Sequence, residues 1–554
     1  MRKTTFLALP FPIRGLDETT AKRDQPPNTT RDVSNMRPFD PFSGRARGGQ
    51  RGGISKFNGS VVGSSNRIQD LNHITTVSTA ADSQSQTSIR TVTGVAICDG
   101  DVYRFTTSVM AAVTNGTNAC NASAPVIFSA QLFGKLYIAD GVNYKYYDVA
   151  TDAVAAWTAT SGTLPINGSD TPRLIEVWRG RVVMSGIKSD PHNWFMSAQA
   201  DAHDWDYNPN PVVETQAVAG NNSPAGLIGE PITAIIPFSE DVLLFGSDHS
   251  LWQMDGDPAA GGRIIRLSGI TGVAWGRAWC TDPNGVLYFF GARGGVYRLS
   301  GGQTLERISA KRIDARLARV NLNTSLVRLA WNDAEMGVHV FITPLTNLPA
   351  DHYFYDARTD SWWMDQFSNT SHSPVSVHSF DGDDPDDRVL LLGGQDGYIR
   401  KWTQTGLTDD GTAVSSSVVI GPIQPSEDQE GLPFLLTELQ VTLAEDSGSV
   451  TCEVFIGDSA EDALAVYRRR SGYWLTEGGD RYLLEDGSGF WLLETDESDF
   501  TATFDPITSI VANPRLRAYA AYVKLSQDTN NEMWAMEDLQ ARVCVISTSL
   551  RRRF

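Results

Sequence analysis

The stretch "PITAIIPFSEDVLLFGSDHSLWQMDG", residues 231–256, carries the decisive pattern. A short apolar run ends in the polar turn Ser239-Glu240-Asp241. The run "VLLFG" follows, then a brief loop, then a third run that carries Trp252. Each run is short, rich in β-branched, leucine or aromatic residues, and bounded by turn formers. That is the signature of consecutive strands joined by tight connections.

The same grammar recurs along the middle of the chain. "VIFSAQLFGKLYIADGVNYKYYDVATDAVAAW" (residues 126–157) and "PRLIEVWRGRVVMSGIKSDPHNWFMSAQADAHDWDY" (172–207) precede the opening stretch. "AWGRAWCTDPNGVLYFFGARGGVYRLS" (274–300), "VRLAWNDAEMGVHVFITPLTNLPADHYFYDARTDSWWMD" (327–365) and "VSVHSFDGDDPDDRVLLLGGQDGYIRKW" (375–402) follow it. "SIRTVTGVAICDGDVYRF" (88–105) reads as a partial earlier unit. In each unit a polar turn precedes a buried-type strand: "LYIA", "VVMSG", "VLLFG", "VLYFFG", "VHVFI" or "VLLLGG". A third strand then carries an aromatic: Tyr146, Trp194, Trp252, Tyr297, Phe354 or Tyr398. One small sheet cannot bury both faces alone, so repeated units must stack on one another. The expectation is an all-β chain whose centre, residues 61–405, is a β-propeller of six to eight blades, with seven the best figure.

A chain of 554 residues is too long for one core, and 41% hydrophobic residues are ordinary for a globular protein. Helical periodicity is scarce. The two candidates are "AKRIDARLARV" (310–320) and "SAEDALAVY" (459–467), the second with a serine N-cap and an acidic first turn. After Trp402 the texture changes. Residues 406–433 read as a linker or connecting hairpin. Residues 434–554 read as a β-rich platform resembling a sandwich, with N-terminal strands as candidates to join it. Within it, "GYWLTEGGD", "RYLLEDGSG" and "FWLLETDES" (472–498) form a short repeat that presents Trp474, Tyr482 and Trp491 as candidate exposed contacts.

The formal net charge of −19 repels nucleic acids and anionic membranes, which disfavours a nucleic-acid-binding enzyme. It suits a surface past which DNA moves without sticking. Five widely spaced cysteines match no zinc motif and read as reduced thiols. The start "MRKTTFLALPFPIRGL" holds Pro10 and Pro12 and lacks a small-x-small cleavage site, so a soluble protein made in a cytoplasm is expected. No apolar run approaches the roughly 18 residues that a membrane span needs.

No phosphate-binding glycine loop, dinucleotide fingerprint or nucleophile elbow is present. The eight histidines form no ligand-spaced pair, and "DGDDPDD" (381–387) lacks the spacing of a calcium loop. No catalytic residue, metal or cofactor is assigned. Asp204, Asp206, Asp356 and Asp360 are the carboxylates that a propeller glycosidase would need, but their spacing does not pair them. "HDWDY" and "DSWWMD" read as blade packing ahead of sugar platforms.

The segment "RDVSNMRPFDPFSGRARGGQRGGISKF" (31–57) is basic in an acidic chain, stiffened by Pro38 and Pro41 and loosened by glycines. Arg31, Arg37, Arg45, Arg47 and Arg51 can each fork onto a carboxylate. We read residues 1–60 as an N-terminal arm and hairpin, and these arginines as candidates for docking a neighbouring subunit or an adaptor; the alternative is a basic hairpin within one subunit.

"DVSNMRPFDPFSGRARGGQRGG", with Asn35, Met36, Arg45, Arg47 and Gly49, resembles the N-terminal segment of tail nozzle proteins of short-tailed bacteriophages, also called tail tubular protein B. "WRGRVVMSGIKSDPHNWFMSAQADAHDWDY" is similar to a blade of that family at Arg179, Gly180, Arg181, Gly186, Pro191, Trp194, Ser197, Asp201 and Trp205. "LTELQVTLAEDSGSVTCEVFIGDSAEDA" resembles the platform strands after its propeller. The resemblance implies a structural virion protein, not an enzyme: a homohexameric tube at the end of a short tail, assembled in the host cytoplasm. It implies docking to an adaptor or portal-proximal protein and to a tail fibre or spike, with phage DNA passing through the lumen without specific binding. The alternative is a propeller that binds, or depolymerises, a host surface polysaccharide.

Overall fold

The computed structural model describes residues 4–79, 88–166, 168, 170–301, 304–310, 312–346, 348–424, 432–470, 499–506 and 510–546. Short strands dominate it, and seven small antiparallel sheets follow one another along the middle of the chain. The opening stretch forms the first three strands of blade four, Ile232–Pro237, Val242–Ser247 and Leu251–Asp255, and Arg263–Ser268 adds the fourth. Leu243, Leu244 and Phe245 are fully buried, because both faces of a blade are covered by its neighbours. That is why the second strand of each unit reads as a continuous apolar run and not as an alternation.

Blade one begins at Ile68–Thr79, blade two at Phe128–Leu132, blade three at Leu174–Trp178, blade five at Trp279–Thr281, blade six at Ser325–Asn332 and blade seven at Ser376–Asp381. These first strands pack side by side around an axis, with blade seven against blade one. Blades four and five meet through the Gly276 amide, which donates to the Thr233 carbonyl at 2.8 Å. The tight turns match the predicted punctuation. Phe133 and Gly134 both have positive φ (49° and 73°), as do Arg179 and Gly180 (51° and 71°). Paired left-handed residues are the geometry of a two-residue hairpin loop, whose twist suits the strands it joins.

The ring is closed from the far end of the chain. Gly53–Lys56 pairs antiparallel with Ile399–Thr403, matching Ile54 to Trp402, and so supplies the outer strand of blade seven. Closure removes an exposed edge and ties residues separated by most of the chain.

The second unit is a β-sandwich. One sheet runs Thr4–Ala8, Met536–Val545, Phe434–Leu443 and Val511–Ala512, with Leu516–Ala518 also on Phe434–Leu443. The other runs Val33–Ser34, Ser416–Ile423, Ala520–Gln527, Val450–Gly457 and Phe500–Phe504. The helix Ala460–Arg470 lies on the second sheet through Ala463, Leu464 and Tyr467. The other predicted helix shortens to the single turn Asp314–Leu317.

Two boundaries differ from the sequence reading. Residues 1–60 are not a free arm: Thr4–Ala8 and Val33–Ser34 belong to the sandwich, and Gly53–Lys56 belongs to the propeller. Residues 406–433 are more than a connection. After the hairpin of Thr408–Asp409 and Thr412–Ala413, Ser416–Ile423 is an inner strand of the second sandwich sheet, with Val418 and Val419 buried. Its polar flanks hid the apolar run "VVI" within it.

The two units share one core. Tyr288 and Phe290 of blade five and Val338, Tyr355, Trp362 and Trp363 of blade six belong to the same apolar cluster as Val418, Phe434, Leu439, Val523 and Leu539 of the sandwich. The N-terminal segment seals the joint, where the Leu16 amide donates to the Trp362 carbonyl at 2.9 Å and the Asn35 amide to the Met364 carbonyl at 2.8 Å. Among the described residues, no helix is long and apolar enough to cross a membrane.

Candidate functional site

Two constellations concentrate charge inside the protein, and the basic segment builds the first. Arg37 forks onto Asp365, with Nη1 to Oδ1 at 2.7 Å and Nη2 to Oδ2 at 2.8 Å, while its Nε donates to Glu335 at 2.9 Å. Its guanidinium lies 4.1 Å from the ring centroid of Phe354. Arg51 forks onto Asp409 at 2.9 and 2.6 Å and donates from Nε to Asn35 at 2.8 Å. Trp402 Nε1 donates to the other oxygen of Glu335 at 3.0 Å. The two carboxylates beside Arg37 hold its proton even more firmly than usual, although burial opposes them. The neighbouring imidazole of His339 is pushed down to about 3, first by burial and then by the Arg37 charge, so it is neutral.

These placements correct the docking assignment for three of the five arginines. Arg31, Arg37 and Arg51 are buried inside their own chain. Arg31 donates to the Asp17 and Thr20 carbonyls, and burial pulls its pKa below the ordinary value. Arg47 is half-buried and engages Asp40 and Glu537. Arg45 alone of the five is exposed. For Arg37 and Arg51 the physical reason is the carboxylate supply: Glu335, Asp365 and Asp409 lie on or beside blades six and seven, close to the path of the N-terminal segment. Trp474, Tyr482 and Trp491 lie outside the described residues.

The second constellation sits on the propeller axis. Strand alternation aims Asp70 and Asn72 of blade one, Phe128 and Ala130 of blade two and Arg328 and Ala330 of blade six at a common space. Glu176, Arg277, Trp279 and His378 complete a cavity of about 490 Å³. Arg277 Nε donates to Glu176 at 2.8 Å, its Nη2 donates to the Ser129 carbonyl, and its Nη1 lies 4.0 Å from Asp70. Ser129 Oγ donates to Asp70. Arg328 spends Nε on the Val375 carbonyl at 3.1 Å and Nη1 on the Val327 carbonyl at 2.8 Å. Its Nη2 has no hydrogen-bond partner.

Burial shapes the acid–base character of this cavity. It pushes the Asp70 carboxyl up to about 7, against the pull of Arg277 and the Ser129 hydrogen bond. It raises Glu176 as well, and lowers Arg328 to about 10 with help from the Arg277 charge. His73 Nδ1 and His378 Nε2 share one hydrogen bond of 2.6 Å, and burial lowers both rings. The cavity is therefore a polar chamber with two arginines, two carboxyls and the His378 imidazole.

The other residues weighed from the sequence have local roles. Asp384 caps the turn at Asp386, Asp381 pairs with Arg90, and Asp383 accepts from the Val92 amide. Asp356 is buried and bound to Arg358, Asp360 accepts from the Tyr355 hydroxyl, and Asp204 and Asp206 accept from nearby amides. Each of these four carboxylates serves its own turn. Asp70, Glu176, Arg277 and Arg328 were not singled out from the sequence. They come from four different blades or their approaches, so no spacing unites them; only the alternation along each inner strand points them inward.

No family model matches the chain, and no curated protein matches it. Among solved structures, it is similar to the extracellular domain of the hybrid two component system BT3049 from B. thetaiotaomicron, at 9% identity and a TM-score of 0.41, covering 72% of this chain and 46% of that one. It is also similar to the extracellular domain of the one component system BT4673 from the same organism, at 14% identity and a TM-score of 0.40, covering 90% and 62%. A third is YCF48 bound to D1 peptide, at 11% identity and a TM-score of 0.35, covering 63% and 97%. The chain thus spans 46% and 62% of the lengths of the two B. thetaiotaomicron domains.

Proposed function

We propose that this protein is a structural subunit of a short-tailed phage particle: a nozzle-type component that assembles as a homohexamer, docks on an adaptor and a fibre or spike, and lines a conduit for DNA. The observation that carries the reading is the core shared by the sandwich and blades five and six. A subunit that must stay in register while DNA is driven past it needs its parts locked together. Here the sandwich, the ring and the N-terminal segment are bound by common apolar packing and by the buried Arg37 and Arg51 forks. The net charge of −19 gives such a conduit a wall that phosphates do not adhere to. Because the arm is spent inside the chain, docking falls to other surfaces, with Arg45 the one exposed arginine of the original set.

The experiment is the mass of the purified full chain in solution, read by native mass spectrometry across a range of concentrations. A species six times the chain mass, ring-shaped by negative-stain imaging, is the expected result. A monomer throughout, with and without a candidate adaptor ring, would remove the nozzle reading.

A further inference from the structure

We propose that the axial cavity binds a ligand bearing a single carboxylate on a polar ring, the chemistry of a uronic or other acidic sugar, with Arg328 and Arg277 as partners of the carboxylate. This is independent of whether the chain assembles into a nozzle.

The charge arrangement motivates it. Arg328 is only 3% exposed and lines the cavity, yet it has no ion pair among the described residues and its Nη2 is unsatisfied. Asp70 acts on Arg328 only from beyond ion-pair distance, and a buried guanidinium with an unmet donor is costly, so an arriving anion gains both a Coulombic and a hydrogen-bond partner. Arg277 is complementary. Its Nε and Nη2 are spent on Glu176 and Ser129, which leaves Nη1, the nitrogen 4.0 Å from Asp70, for the same anion. Both guanidinium carbons lie over the ring of Phe128, at 5.3 and 5.8 Å from its centroid, so the two cations flank one aromatic plate.

The neighbouring carboxyls select the kind of anion. Glu176, ion-paired to Arg277, sits beside the arginines and repels a dianion such as phosphate more strongly than a monoanion. The volume argues in the same direction. About 490 Å³ is far more than acetate needs and falls in the range of ordinary small-molecule sites. Trp279 and Trp331 add aromatic surface to the wall, against which the apolar face of a sugar ring packs.

The test titrates the full-length protein with glucuronate, glucose and inorganic phosphate, by calorimetry and by ligand-observed NMR. Glucuronate is expected to saturate, with glucose at least about tenfold weaker, because glucose lacks the charge-assisted contact. Arg328→Gln should weaken glucuronate by about tenfold, because it removes the buried charge that meets the carboxylate. Trp279→Ala, at a half-buried position, provides a second variant and should also weaken glucuronate, by at least about threefold. Glucuronate should raise the unfolding temperature of the parent protein by mass action. Equal affinity for glucose, tighter binding of phosphate, no saturation by millimolar glucuronate, or unaltered binding in both variants would each overturn the assignment.

Discussion

Arg37 shows how one side chain can carry a joint. Its fork onto Asp365 and its bond to Glu335 are all but closed to water, so the charges are compensated by one another, with Arg51 3.9 Å from Asp365 and the Trp402 indole bonded to Glu335. Arg37→Met leaves two buried carboxylates beside a neutral thioether. The expected loss is about 3–5 kcal/mol, because removing one partner strands the other charges. It would be seen as a lower midpoint of urea unfolding at unchanged slope; a loss under about 1 kcal/mol would mean that the clasp is ornamental. Asp70 makes a different prediction. Folded, its carboxyl holds a proton up to about pH 7, whereas unfolded it titrates near 3.8. The folded state therefore binds the extra proton between those values, and stability is lost as pH rises through that window. Asp70→Asn, which cannot ionise but still meets Ser129, should flatten the decline. Unfolding midpoints compared at pH 4.5 and pH 8 check it, and an unchanged difference would refute the assignment. Neither role was legible beforehand. The arginine-rich segment could be read as capable of forking onto carboxylates, but Glu335 and Asp365 lie some three hundred residues away along the chain, and a polar composition reads as solvated when the partner is unknown.

Among the elements, the closing strand Gly53–Lys56 does the most for its length. It pairs with Ile399–Thr403 on one side and meets Asp409 of the following hairpin on the other. A Cβ at Gly53 would stand 2.1 Å from the Thr408 carbonyl oxygen, a backbone atom that cannot swing aside. Gly53→Ala should thus push the strand off its neighbour and cost about 1–3 kcal/mol or more. Hydrogen exchange should locate the added opening in blade seven, with faster exchange at the Trp402 and Thr403 amides than in blade three. Protection unchanged in blade seven would show that the strand is not the clasp of the ring. The blades themselves were readable. "VLLFG" and "LYIA" announce second strands because stacking buries both faces of a blade, and the polar turn before each of them marks the connection. The closing strand was not readable. "GISK" is too short to signal a strand, and its pairing is set by ring closure, which has no local periodicity.

At the scale of the whole molecule, the question is whether the propeller and the sandwich are two thermodynamic units or one. A chain of this length ordinarily unfolds in stages, domain by domain. The shared core argues otherwise. Phe434 is fully buried in the sandwich, yet its cluster runs without a break into Tyr288 of blade five and Trp362 of blade six. The N-terminal segment crosses the joint more than once, so neither unit can open without losing strands or ion pairs that the other needs. We therefore expect one calorimetric transition for blades and sandwich together, coincident with tryptophan fluorescence, in which the buried Trp194 of blade three, the buried Trp205 and the buried Trp534 beside the sandwich report together. Phe434→Ala sharpens the test. It removes an aromatic from the sandwich alone and should cost about 3–5 kcal/mol. If the units are coupled, exchange protection falls in blades five and six as well as in the sandwich, and the single transition moves as a whole. If only the sandwich loosens while the blades keep their midpoint, the joint is a hinge, and a rigid conduit subunit is the wrong description of this chain.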